Sequence, residues 1–249
     1  MKRTAFIIAL AVAVISGCKP GLSGEITTEE TEVSTGYKTV KVKGYARIIT
    51  NVESRTLKVT TDKKLQKCVK IKDNGRTLII DASNAKIKAA GERPVSVEIP
   101  YSSVFDELKM EGSSTFDFEM MLTPHQEYSL KGSNIVTGVI CCETLKIESE
   151  GSDQILIDTN AESIELDLNG SSSAGTLMIP ISATKIDCEI SGSCVAYVEA
   201  AEVKGEVDGD SELHYIGDHS CKAKASGTAR IINDKDREPM DITKVPRKL

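Results

Sequence analysis

The chain contains no tryptophan, and its 249 residues include only six tyrosines and four phenylalanines. Clefts that hold sugars or flat cofactors lean on aromatic platforms, so this scarcity argues against a carbohydrate-binding groove. Positive charge is not in excess either. Basic residues are interspersed with acidic ones and the net charge is −6. A protein that follows phosphates shows a basic patch or stripe, so the balance speaks against nucleic acid as a partner. No nucleophile elbow, phosphate loop or dinucleotide fingerprint occurs, which excludes the enzyme classes built on those turns. Beyond residue 17 no apolar run approaches the roughly 20 residues that a membrane-spanning helix needs.

What the sequence does have is a comb of glycines: Gly112, Gly132, Gly151, Gly170, Gly192, Gly209 and Gly227, each followed by Ser, Asp or Thr. Successive teeth lie 20, 19, 19, 22, 17 and 18 residues apart. A near-constant period of this length marks a repeat architecture in which each unit completes its neighbour's core. Four residues before the glycines stand Leu108, Tyr128, Ile147, Leu166, Cys188, Gly205 and Ala223; two before stand Met110, Leu130, Ser149, Leu168, Ile190, Val207 and Ala225. Charged or polar residues separate them, so one strand ends at each glycine with one side inward. Four residues after the glycines, Phe116, Val136, Ile155, Ala174, Ala196, Leu213 and Ile231 open a second inward-facing strand. Two residues after, Ser114, Asn134, Asp153, Ser172, Cys194, Ser211 and Ala229 form a row of small side chains. Stacked, that row can bond the backbone groups freed at the corner. A meander of antiparallel hairpins shares the glycine turns and the alternation. Equivalent residues recurring in the same order favour parallel rungs about 4.8 Å apart, an all-β, parallel β-helix.

Before Gly112 the alternation persists without a regular period, as in Val40/Val42, Leu57/Val59, Leu78/Ile80 and Val95/Val97/Ile99. Residues 37–105 are therefore expected to supply irregular first rungs or a capping β sheet, since an open rung exposes unpaired backbone groups. Regular repeats follow over 106–233.

The first 17 residues place Lys2 and Arg3 before an apolar run at 5–15 and close on Ile15-Ser16-Gly17-Cys18. This is a secretory signal, and its last four residues resemble the lipobox of bacterial lipoproteins. The resemblance implies that Cys18 becomes the lipid-bearing first residue of the mature chain. Several acyl chains on one cysteine anchor stably, each buried methylene contributing about 0.8 kcal/mol. Removing 1–17 leaves 29 basic and 37 acidic residues. Residues 18–36 are rich in Glu, Thr, Ser and Gly with few aliphatics, which predicts a flexible tether reaching about 20–25 Å. Residues 234–249 read as a polar tail.

With the strands and bends in place, the chain resembles the head GIN domain family of bacterial auto-transporter adhesins, over most of residues 37–233. The resemblance rests on Tyr37-Lys38-Thr39-Val40-Lys41-Val42-Lys43-Gly44, on units such as Leu166-Asp167-Leu168-Asn169-Gly170-Ser171, and on the late unit from Val207 to Gly217. It implies a right-handed β-helix at the cell envelope, outer membrane lipoprotein character and a role in adhesion. The chain departs from the family pattern near Lys131-Gly132 and at Gly205, where the alternation thins, and in its cysteine count.

Six cysteines follow Cys18: Cys68, Cys141, Cys142, Cys188, Cys194 and Cys221. An exported chain permits disulfides, and Cys188 with Cys194 across one bend is the pair to test; the other reading makes them small buried core residues. His214, His219 and Cys221 are compactly spaced but fit no zinc pattern, and His214 has outward parity, which predicts a solvated loop. Asp208-Gly209-Asp210 reads as a solvated bend, not a calcium loop. Catalysis by outward carboxylates such as Glu148, Glu150, Asp158, Glu165, Asp167 and Asp187 would need them to converge. Solubility alone accounts for a charged outer side. The expectation is a lipid-anchored, non-catalytic envelope module that needs neither cofactor nor metal and binds the membrane through Cys18 and an unidentified protein or glycan through its head. A structural or assembly component of an envelope complex explains the same residues, and a polysaccharide-active β-helix enzyme is a further alternative.

Overall fold

The structure is a computed structural model that describes residues 23–34, 36–51, 53–85, 95–100, 105–217 and 221–234. The irregular first part holds β1 (Ile26–Thr31), β2 (Thr39–Gly44), β3 (Ala46–Asn51), β4 (Leu57–Asp62), β5 (Lys70–Asp73), β6 (Thr77–Ala82) and β7 (Val95–Pro100). The regular part holds β8 (Glu107–Gly112), β9 (Thr115–Asp117), β10 (Met121–Gly132), β11 (Ile135–Gly151), β12 (Gln154–Gly170) and β13 (Ser173–Ala174). It continues through β14 (Ile181–Gly192), β15 (Val195–Val207), β16 (Glu212–Ile216), β17 (Lys224–Ala225) and β18 (Arg230–Asn233).

From β8 onward every pairing is parallel, in a solenoid of about seven turns. The register sets Gly44, Gly112, Gly132, Gly151, Gly170 and Gly192 directly over one another. Two constraints demand glycine there. At Gly170 φ is +101°, a conformation that L side chains rarely adopt, and a Cβ would stand 2.5 Å from the carbonyl oxygen of Gly151 beneath it. The same approach lets the next residue's N–H reach that oxygen: Ser171 N donates to Gly151 O at 2.6 Å and Ser152 N to Gly132 O at 2.7 Å.

The row two residues after the glycines is a continuous buried hydrogen-bond ladder. Ser114 N donates to Asn134 Oδ1 at 3.1 Å, Asn134 N to Asp153 Oδ1 at 2.7 Å, and Asp153 N to Ser172 Oγ at 3.1 Å. Ser172 N then donates to Cys194 Sγ at 3.3 Å and Cys194 N to Ser211 Oγ at 3.2 Å. Each corner amide that no strand partner can reach is met by the side chain one rung further on. Asp153, wholly buried, also accepts from Asn134 Nδ2 at 2.8 Å and from Ser149 Oγ at 2.9 Å. That second bond explains the serine in an otherwise apolar row. The ladder ends at Ala229, whose side chain offers no acceptor.

Inside, the inward rows are buried from Leu108 and Met110 to Cys188, Ile190 and Val207, with Phe116, Val136, Ile155 and Leu213 across from them. Three of the four phenylalanines gather where the irregular part meets the regular turns. Phe105 and Phe116 meet edge to face at 5.7 Å, and Phe118 follows at 6.2 Å from Phe116. The Tyr37 hydroxyl, buried in the same region, donates to Pro100 O at 2.8 Å, and burial pushes it up to about 12. Among the described interior groups the largest anomaly is an amide. Gln126 packs over Leu145 in an apolar row, 3% exposed, and neither amide atom has a partner.

The described strands within residues 37–105 both join the solenoid and close it. β2 lies between β6 and β8, and β3 between β7 and β9, so the later coil β6–β7 is the lower one. Below it β5 pairs antiparallel with β6 and β4 antiparallel with β7, and β1 pairs antiparallel with β4. These are the antiparallel pairs among the described residues. They cover the sheet edges that the lowest coil would otherwise present.

The expectation of a flexible tether over residues 18–36 is corrected by β1 for Ile26–Thr31, while residues 18–22 and 35 lie outside the described residues. The side chains of β1 are mostly exposed, so apolar content gave no sign of order. Order comes from a full antiparallel register with β4 and from captured polar groups: Thr28 with Thr60 at 2.9 Å, and Ser34 Oγ donating to Asp73 at 2.8 Å. The signal segment and Cys18 lie outside the described residues, as does the tail beyond Asp234.

Two substitutions test this account in chemical unfolding. Gly170→Ala combines positive-φ strain with a backbone clash and is expected to cost about 3 kcal/mol or more. Gln126→Leu removes an unsatisfied buried amide and is expected to stabilise by about 1–3 kcal/mol.

Candidate binding surface

Between the glycine corner and the next bend, each rung presents three outward positions, and stacking turns them into three straight rows. The middle row runs Lys41, Lys109, Ser129, Glu148, Asp167, Glu189. Beside it stand Lys43, Glu111, Lys131, Glu150 and Asn169 on the corner side and Glu107, Glu127, Lys146, Glu165 and Asp187 on the other. Neighbouring rungs share charges. Glu111 pairs with Lys41 at 3.2 Å and Lys43 at 2.9 Å; Lys131 pairs with Glu150 at 2.9 Å; Lys146 bridges Glu148 at 2.9 Å and Glu165 at 3.2 Å. Such exposed pairs contribute little to stability and chiefly set the potential of the face.

That potential changes along the axis. Lysines balance the lower turns, whereas the upper turns gather Glu148, Glu150, Glu165, Asp167, Asp187 and Glu189. Burial first and Glu148 second raise the Asp167 carboxyl, with Lys146 opposing. Of the carboxylates expected as possible catalytic groups, Glu148, Glu150, Glu165, Asp167 and Asp187 stand in these parallel rows, several of them paired with lysines, whereas Asp158 lies outside the rows. Among the described residues, two open depressions lie on the outer surface. One, of 580 Å³, lies among small residues such as Ala161, Ala183, Ala200 and Thr184; the other, of 410 Å³, lies beside His125, Thr144 and Lys146.

The remaining candidate residues fall apart structurally. Cys188 and Cys194 are buried free thiols with separate duties, and no disulfide joins them. Cys188 sits in the inward row and donates to Lys204 O at 3.3 Å, burial pushing its thiol up to about 12. Cys194 belongs to the corner ladder, where it also donates to Ser191 O at 3.2 Å. Of the histidine and cysteine cluster, His219 lies outside the described residues. His214 is not in a solvated loop, which corrects that expectation. Its parity is outward, but its ring is 4% exposed, stacked on Tyr197 at 4.4 Å, with Nδ1 2.6 Å from Asp234 and Nε2 3.1 Å from Glu212. Residues beyond the last glycine return to cover it, a contact without any mark in local spacing. Asp208 accepts from Ser226 Oγ at 2.7 Å, which lowers its carboxyl, and Asp210 meets Thr228, so that bend is tied to the next rung.

Sequence reasoning missed the junction between the chain start and the head. Asp62, at the end of β4, accepts from Ser23 Oγ at 2.8 Å, Gly24 N at 2.8 Å and Lys64 N at 2.9 Å. Burial pulls its carboxyl upward, but these donors prevail and hold it at about 2. A lone aspartate in Thr-Asp-Lys-Lys carries no signal of a contact 39 residues away.

A family model described as "Putative auto-transporter adhesin, head GIN domain" matches residues 36–218. Among solved structures, one called a "putative adhesin" from Bacteroides fragilis NCTC 9343 is 16% identical with a TM-score of 0.74, covering 85% of this chain and 98% of that one. A "Putative lipid binding protein" from Parabacteroides distasonis ATCC 8503 is 20% identical, TM-score 0.63, with the same coverages. A "putative adhesin" from Parabacteroides merdae ATCC 43184 is 17% identical, TM-score 0.60, covering 85% and 97%. At these identities the likeness is one of fold. No curated protein matches the chain.

Because Asp62 is held below its ordinary value of 3.8, its contribution is present above that value and lost as pH falls toward about 2. Hydrogen exchange of residues 26–31, corrected for intrinsic rates, is expected to accelerate across that window. Asp62→Asn should exchange fast already at neutral pH.

Proposed function

This chain belongs to the family described as "Putative auto-transporter adhesin, head GIN domain", and we propose that it is a non-catalytic, lipid-anchored module of the cell envelope that binds a partner through the flat outer face of its solenoid. The observation that carries the reading is the face itself. Seven stacked turns present straight, laterally paired rows on a backbone that every rung braces. The depressions among its described residues are open, and its carboxylates stand in rows, several of them paired with lysines. A surface of this kind offers many weak contacts at fixed spacing, and rigidity limits the entropy lost when a partner lies along it. The acidic upper rows repel polyanions and favour a neutral or basic partner.

The membrane part of the reading rests on Cys18 and its preceding segment. Among the described residues no helix is long and apolar enough to cross a membrane, and the acyl chains of a lipidated cysteine supply the attachment.

Metabolic labelling with a palmitate analogue tests the anchor. The full chain is expected to incorporate label and fractionate with membranes, and Cys18→Ser to lose both. Protease treatment of intact cells tests the role. Digestion of the head on intact cells supports binding of an external partner. A head digested only after lysis overturns it in favour of an assembly role within the envelope.

A further inference from the structure

The base of the solenoid carries a charge pattern opposite to that of its face. Residues 63–72 contain Lys63, Lys64, Lys67, Lys70 and Lys72 and no acidic residue, and all five lysines are exposed. Lys63 and Lys64 follow Asp62 in the turn that leaves β4, Lys67 lies in the single 3-10 turn Gln66–Cys68, and Lys70 and Lys72 alternate along the edge strand β5. This turn and β5 underlie the lowest coil. Of the acidic groups nearby, Glu25 pairs with Lys63 at 3.0 Å and Asp81 stands opposite Lys70, while Asp62 and Asp73 stay ionised but turn their oxygens to backbone N–H groups and serine hydroxyls of the chain. Glu29 and Glu30 sit at the far end of β1, opposite Val59 and Lys58.

We propose that this lysine-rich base is a docking surface for an anionic phospholipid bilayer. The orientation rests on the lipid-anchor reading; the charge does not. Ser23 and Gly24 are fastened to Asp62, one residue from Lys63. Five residue steps separate Cys18 from Ser23, a reach of at most about 17 Å when fully extended. A lipid on Cys18 thus holds the Ser23–Asp62 junction, and with it the base, within about two screening lengths of the headgroups. A second, electrostatic signal is what a short acyl anchor gains most from. The acidic upper rows are repelled by the same surface. The rod is therefore held upright, base on the bilayer and face clear of it.

The chain beginning at Lys19, which keeps every described residue, is to be mixed with sedimentable vesicles of phosphatidylcholine alone or with about one third phosphatidylglycerol. Binding is expected to the anionic vesicles only and to vanish in high salt. The triple variant Lys63→Glu, Lys64→Glu, Lys67→Glu is expected to bind about a hundredfold more weakly, whereas Lys204→Glu with Lys222→Glu at the upper turns binds undiminished. Equal binding to neutral vesicles, an unaffected triple variant, or tighter binding to single-stranded DNA than to anionic vesicles overturns the proposal. Because this chain lacks Cys18, failure here leaves the palmitate result standing, and absence of palmitate label leaves this one standing.

Discussion

Close approach at the glycine corner is the constraint on which the rest of the molecule depends. The carbonyl oxygen of one glycine occupies the space where the next glycine's Cβ would be, and that contact brings the following N–H onto the same oxygen. Parallel strands have no hairpin to fix their register, and a slip of one residue would turn every side chain inside out. A glycine demanded at the corner by the carbonyl oxygen beneath it removes that freedom. The buried ladder beside it repeats the message in polar form, each side chain reaching the amide one rung away. Register, burial and the straightness of the outer rows are three outcomes of one contact.

The two ends of the rod are built differently. At the base, antiparallel strands cover the edges, phenylalanines fill the seam, and aspartates clasp the incoming chain. At the upper end the ladder stops at Ala229, and the last turn is held by Arg230 on Glu212 and by His214 between Glu212 and Asp234. Both nitrogens of that imidazole face carboxylates, so the ring joins two strands' worth of negative charge in a nearly dry setting. Charge follows the same polarity, with lysines collected below and carboxylates above.

How much of this could be read beforehand depends on the range of the interaction. The inward rows from Leu108 to Val207 and the corner row from Ser114 to Ser211 follow from period and composition, because the repeat places equivalent residues at equivalent sites. Ser149 looked like an interruption and is a hydrogen-bond donor to buried Asp153, a role visible only with both in space. The order of β1 was illegible because it is secured by backbone pairing and by Asp62 and Asp73, not by apolar surface. His214 was misjudged for a related reason: parity gives the side of a sheet, not what later folds over it. The lysines of residues 63–72 were in plain view, but averaging charge over the whole chain concealed them.

The reversed order of the lowest coils bears on how such a rod is assembled. β2 finds one neighbour in β6 and the other in β8, so the foundation is not closed on both sides until the strand ending at Gly112 exists, across a separation of 68 residues. Every later turn needs only the one made about 19 residues earlier. Long-range closure is slow and local addition fast. A chain emerging amino-terminus first therefore meets its slowest step at the beginning, on a platform completed once, after which turns can be laid down as quickly as they are delivered.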